Sequence, residues 1–175
     1  MSASGDSELL IAVRATLLDA LEALEDQRDA LVLIGAQAIY LHTGDAPVAL
    51  AEATKDSDLA VDPRALATDP LVEVAMTTAG FHRNLEDAQP GSWLSSDGIP
   101  VDLMVPSRLS GGGGRRGARI PPHDKHATRV ARGLEAAIVD NANGGGSPRP
   151  GRHAERGNQG GWTGGLARRE AAQAR

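Results

Sequence analysis

The chain has 175 residues, no cysteine and a formal net charge of −5. That length suits one domain with its own core better than two, and the missing cysteine excludes disulfides, thiolate catalysis and Cys-ligated zinc. No stretch has the apolar run that a bilayer span needs, and Met1 to Ser7 lacks the basic start and apolar stretch of a secretion signal, so the sequence predicts a cytoplasmic protein with no membrane partner.

Aromatic residues make up only 2% of the chain against 41% hydrophobic, so the core must come from Leu, Val and Ile. From Ser7 to Asp29, Leu10, Leu17, Leu18, Leu21 and Leu24 recur at helical spacing between charged residues, predicting a packing helix. Leu31 to Ile34 is an aliphatic run of strand length, stopped by Gly35. Ala36 to His42 has good helix formers, giving strand, tight glycine turn, helix. Thr43 to Ala53 contains Gly44, Asp45 and Pro47 and predicts a loop. Lys55 to Val61 follows as an acidic strand, with Asp56 and Asp58 on one face and Ser57, Leu59 and Val61 on the other.

Asp62-Pro63 has the chemistry of a helix start, predicting a helix to about Ala79 with Leu66, Leu71, Val74 and Ala75 inward, broken at Pro70 and closed by Gly80. Phe81–Leu85, Ser92–Ser96 and Ile99–Val105 then predict a meander of three short strands, the last pair joined through an Asp97-Gly98 turn. In the third strand Val101, Leu103 and Val105 share one face, and Asp102 lies on the other with Pro100 and Met104. Residues 107–126, with a four-glycine run, Arg115, Arg116, Arg119 and Pro121-Pro122, predict a mobile basic loop. Ala127 to Val139 fits a helix or a strand.

Beyond Asn141 the composition shifts. Residues 1–140 hold 12 basic against 21 acidic side chains, a charge of −9, whereas residues 141–175 hold 6 Arg against 2 Glu, a charge of +4, with nine Gly. The domain is therefore expected over residues 1–140 and a disordered Gly/Arg-rich tail over 141–175. An acidic body argues against nucleic-acid binding through its whole surface. The fold class expected is α/β (α+β), a small mixed or antiparallel sheet flanked by helices.

Three features carry chemistry. An apolar strand ends at Gly35-Ala36 where a helix begins. The Asp56/Asp58 pair follows one strand later, and two carboxylates so close are better tolerated around a hard cation such as Mg²⁺. Asp102 is embedded among apolar residues and needs a partner or a cation.

On Leu33-Ile34-Gly35-Ala36-Gln37-Ala38, Ala53-Thr54-Lys55-Asp56-Ser57-Asp58-Leu59 and Pro100-Val101-Asp102-Leu103-Met104, the chain resembles the DNA polymerase beta-like nucleotidyltransferases, and within them the AbiEii-type toxins. The resemblance spans roughly Leu31 to Pro106. It implies a nucleotidyltransferase core in which Gly35 and Ala36, with Thr54 and Lys55, hold a nucleoside triphosphate. Asp56, Asp58 and Asp102 would hold two Mg²⁺ ions, with Asp102 near the attacking hydroxyl. The implied reaction moves a nucleoside monophosphate onto a hydroxyl of RNA, such as a transfer-RNA end, or of a protein, in a toxin neutralised by an antitoxin protein. Gly35-Ala36 lacks the second Gly or Ser common in the family, and Glu52 stands where many relatives carry arginine.

The alternatives are an inactive, truncated or frameshifted remnant and a non-catalytic module whose basic tail binds an acidic partner or RNA. The remnant reading rests on the tail, whose Gly, Arg, Pro and Ala suit a shifted frame of a GC-rich gene. Gly112 to Gly117 spells G-x-G-x-x-G but leads to Pro121-Pro122 and not to a helix, so a dinucleotide site is not expected. His123, Asp124 and His126 are expected to face solvent, and Tyr40 and Trp93 to pack.

Overall fold

The computed structural model describes residues 3–43, 56–86, 89–112 and 116–144, all within a unit running from Met1 to Gly145. The loop expected at Thr43 to Ala53 and the tail expected over 141–175 therefore lie, beyond Thr43 and Gly144 respectively, outside the described residues. Helix α1, Ala3–Ala23, buries Val13, Leu17 and Ala20, and Leu24 just beyond it continues the stripe, at intervals of four, three and four. Leu18, expected inward, is exposed along with Ile11. One residue step turns a helix by about 100°, so a stripe through Leu17 leaves Leu18 outside it. No helix among the described residues is long and apolar enough to cross a membrane.

A 3-10 turn, Glu25–Ala30, leads into β1, Leu31–Ile34, and β1 into helix α2, Gly35–Thr43, as the glycine turn predicts. Strand β2 is Ser57–Val61, helix α3 Val72–Thr78, and β3, β4 and β5 are His82–Arg83, Ser92–Leu94 and Pro100–Pro106. Strand β6, Arg129–Ala131, and helix α4, Glu135–Gly144, complete the described fold. The segment that fits either periodicity thus holds one element of each kind, because the chain turns at Gly133, where φ is +81°.

The sheet is mixed, ordered β1-β2-β5-β4-β3, with β6 also on β5. Strand β5 runs parallel to β2 along one edge. On the other it pairs antiparallel with β4 through residues 100–102 and parallel with β6 through residues 104–106. Register partners share a face. Leu33, Leu59 and Leu103 therefore form one cross-strand row, and Val101, Trp93 and Val105 belong to the same face. Those residues join Leu17, Leu24, Val72, Met76 and Phe81 in the core, and Trp93 donates its indole N–H to the Ala127 carbonyl at 3.0 Å. The opposite row is Ile34, Asp58, Asp102 and Ser92.

The helix expected from Asp62 is replaced by a turn, and only Val72–Thr78 is helical. Asp62 accepts from the Arg64 backbone at 3.0 Å and from its guanidinium at 2.9 and 2.8 Å, a local bond that competes with helix. Buried Gln27 fixes the chain beyond it. Its side chain accepts from Ala67 N–H at 2.7 Å and donates to the Ala67 and Pro70 carbonyls at 3.2 and 2.7 Å. Val74, expected inward, is exposed, while Val72 and Met76 take the inner face of α3. The meander forms, with Gly98 at φ +74° and Ser95 N–H donating to the Ile99 carbonyl at 3.0 Å. After β5, Ala118 and Ile120 join the core, and His123, expected to face solvent, is buried, its Nδ1 accepting from Val72 N–H at 3.2 Å.

Candidate functional site

Period-two alternation places the acidic residues. In β2 the odd residues Ser57, Leu59 and Val61 turn to the core, which leaves Asp58 on the far face. In β5 the same alternation leaves Asp102 there. The parallel register makes Asp58 and Asp102 direct partners, so the two carboxylates stand side by side on adjacent strands. Asp56 lies one residue before β2, not within it, and is half-buried. Its charge nonetheless reaches Asp58. Burial first, then the charges of Asp56 and Asp102, push the Asp58 carboxyl up from 3.8 to about 6, against an opposing pull from Arg129. Asp56 and Asp102 thus both act on Asp58.

The glycine turn closes on the same spot. Gly35 opens α2 with φ at +71°, and a Cβ built on it would lie 2.6 Å from Asp58 Oδ2. Only a residue without a side chain lets the first turn of α2, whose amides have no partner within the helix, come so near that carboxylate. Ala36 follows in that first turn, half-buried, and Gln37 is buried. Thr54 and Lys55, expected at the nucleotide, lie outside the described residues, as does the side chain of Tyr40.

One member of the site has no counterpart among the expected residues. Arg129 in β6 donates to Asp102 Oδ2 through Nε at 3.2 Å and Nη2 at 2.9 Å. It pairs in register with Met104, which puts it on the Asp102 face. Its backbone packs closely against Gly91. The Leu103 N–H donates to the Gly91 carbonyl at 2.7 Å, and a Cβ at Gly91 would lie 2.5 Å from the Leu103 oxygen and against the Arg129 nitrogen. The alternation of Arg129 with the apolar Val130 between Thr128 and Ala131 is the only sequence signal for this strand.

Donor type suits a hard divalent cation: the paired groups are carboxylates, and burial, then the neighbouring negative charges, raises the proton affinity of Asp58. Spacing is less complete. Among the described residues no group of three His, Cys, Asp or Glu is placed to hold a metal ion, and Asp102 is held by Arg129. The other cluster considered, Asp124 with His126, is a turn: Asp124 Oδ1 accepts from His126 N–H at 2.7 Å and pairs with Arg83 at 3.2 Å. Those contacts, led by the His126 amide, hold the Asp124 carboxyl below the usual range.

Comparison with protein-family models, with curated proteins and with solved structures gives no match.

Proposed function

We propose that the acidic face serves a metal-dependent nucleotidyl transfer, moving a nucleoside monophosphate from a triphosphate onto a hydroxyl of RNA or protein. The observation that carries this reading is the register pairing of Asp58 with Asp102 directly beside the Gly35 turn. A pair of carboxylates would then serve cations, and the amides that open α2 beside Asp58 would serve phosphate oxygens.

In the proposed reaction the acceptor oxygen bonds to the α-phosphorus while the bond to the bridging oxygen breaks, and pyrophosphate leaves with that electron pair. Two Mg²⁺ ions, when bound, would offset the charge on the attacking and leaving oxygens. Asp56 and Asp58 would hold them, with Asp102 as the third carboxylate once it parts from Arg129. The first-turn amides of α2, at Gly35 and Ala36, would orient the phosphates, helped by the helix dipole. Asp102 would take the hydroxyl proton. Thr54 and Lys55 complete the proposed nucleotide contacts, and a toxin acting on transfer-RNA ends, restrained by an antitoxin, is the proposed setting.

The test is incubation with labelled ATP, CTP, GTP or UTP, Mg²⁺ and total RNA. Label transfer by the parent, lost in Asp58→Ala and Asp102→Ala, is expected; equal labelling by those variants would remove the proposal. A second reading, an inactive remnant that keeps the fold, is favoured by the Arg129 contact on Asp102. It predicts no transfer with any of the four nucleotides, from a chain that remains folded.

A further inference from the structure

Among the described residues, Arg129 is the cation that pairs with a carboxylate of the acidic face, Asp102. Its two donors, Nε and Nη2, converge on a single oxygen, Asp102 Oδ2, rather than straddling both oxygens of the carboxylate. Straddling contacts are the stronger arrangement, so this one is easier to displace. Neither partner is sealed off: the Arg129 side chain is 27% exposed and that of Asp102 16%. The guanidinium therefore has solvent to move into. Its backbone has no such freedom, fixed by the β5 pairing, by Gly91 and by Val130 N–H donating to the Arg116 carbonyl at 2.8 Å. Only the side chain can swing.

We infer that Arg129 is an internal counter-cation, a lock that occupies Asp102 and must be displaced before a divalent cation can bridge Asp102 and Asp58. This rests on the proposed reading of the site and adds its regulation: the site is closed in the resting chain and opens in competition with its own metal. Two like charges at neighbouring carboxylates repel, so guanidinium and cation exclude each other. The influence of Arg129 on Asp58 is consistent with that proximity.

Calorimetric titration with Mn²⁺ alone, on the full chain, tests the lock. Arg129→Gln is expected to bind Mn²⁺ about tenfold more tightly than the parent, a factor in the range of ordinary coupling between sites. Arg129→Lys, which keeps the charge but loses the fork of donors, is expected in between and serves if Arg129→Gln does not fold. A second readout looks at the side chain itself: addition of Mg²⁺ to the parent is expected to shift the Arg129 Nε–Hε resonance and speed its exchange with water. Equal Mn²⁺ affinity in parent and variants overturns the lock and leaves the site standing. Absence of binding in every form removes the lock together with the site.

Discussion

Gly35 and Asp58 are fitted to each other: the glycine Cα leaves no room for a side chain, because its Cβ would stand 2.6 Å from Asp58 Oδ2. Gly35→Ala must also hold φ near +71°, where L residues are strained. The substitution is expected to cost about 1–3 kcal/mol in urea denaturation. Part of that loss should vanish in the Asp58→Gly background, where the collision is gone and only the backbone strain remains. Additive losses in the two backgrounds would show that the contact is not what restricts position 35.

The pH profile of stability should carry the signature of Asp58. Burial, with the charges of Asp56 and Asp102, raises its carboxyl from 3.8 to about 6 in the folded chain. The folded state then holds this proton more tightly than the unfolded state does, so stability falls as pH rises from 3.8 through about 6. Asp58→Asn, which never ionises, should gain on the parent across that window and stay ahead at pH 7.5. Urea midpoints measured from pH 3.5 to 8 decide it; parallel profiles for the two proteins would contradict the account.

Gln27 holds the chain from Ala67 to Pro70 with three hydrogen bonds while almost fully buried. Gln27→Leu leaves the Ala67 amide and the Pro70 carbonyl without those partners, at an expected cost of about 2 kcal/mol. Hydrogen exchange should localise the loss: the Ala67 amide should lose protection well before amides of β5.

Gly91 lies where β4, β5 and β6 converge, with φ at +78°. Gly91→Ala would drive a Cβ against the Leu103 oxygen and the Arg129 nitrogen, both backbone atoms that cannot swing away. A loss of about 2 kcal/mol or more is expected, from strained φ and a wedge in the sheet together. Thermal denaturation measures it, and a melting temperature within a degree of the parent would contradict the geometry.

Much of this fold was legible because its signals are local. Leu31 to Ile34 ending at Gly35, the Asp97-Gly98 turn, and the alternation that sets Asp102 opposite Leu103 each follow from a few neighbouring residues. What failed depends on distant partners. Asp62-Pro63 reads as a helix start until Gln27 takes the backbone of Ala67, 40 residues after it. His123 reads as solvent-facing until its Nδ1 meets the Val72 amide, 51 positions away. Arg129 carries no local signal because its partner Asp102 lies 27 residues off, across a parallel pairing that short-range pattern does not encode. Alternation sets Asp58 and Asp102 on one face, but no local pattern marks the guanidinium that answers Asp102.

The central claim is that Asp58 and Asp102 together form a cation site at which a nucleotide can be held. Electron paramagnetic resonance of Mn²⁺ titrated into the full chain with a non-hydrolysable ATP analogue reads this most directly. The account predicts immobilised Mn²⁺ with the parent, strengthened by the analogue, and a free-ion spectrum with Asp58→Ala. A free-ion spectrum with the folded parent, or an identical bound signal in the variant, would contradict it.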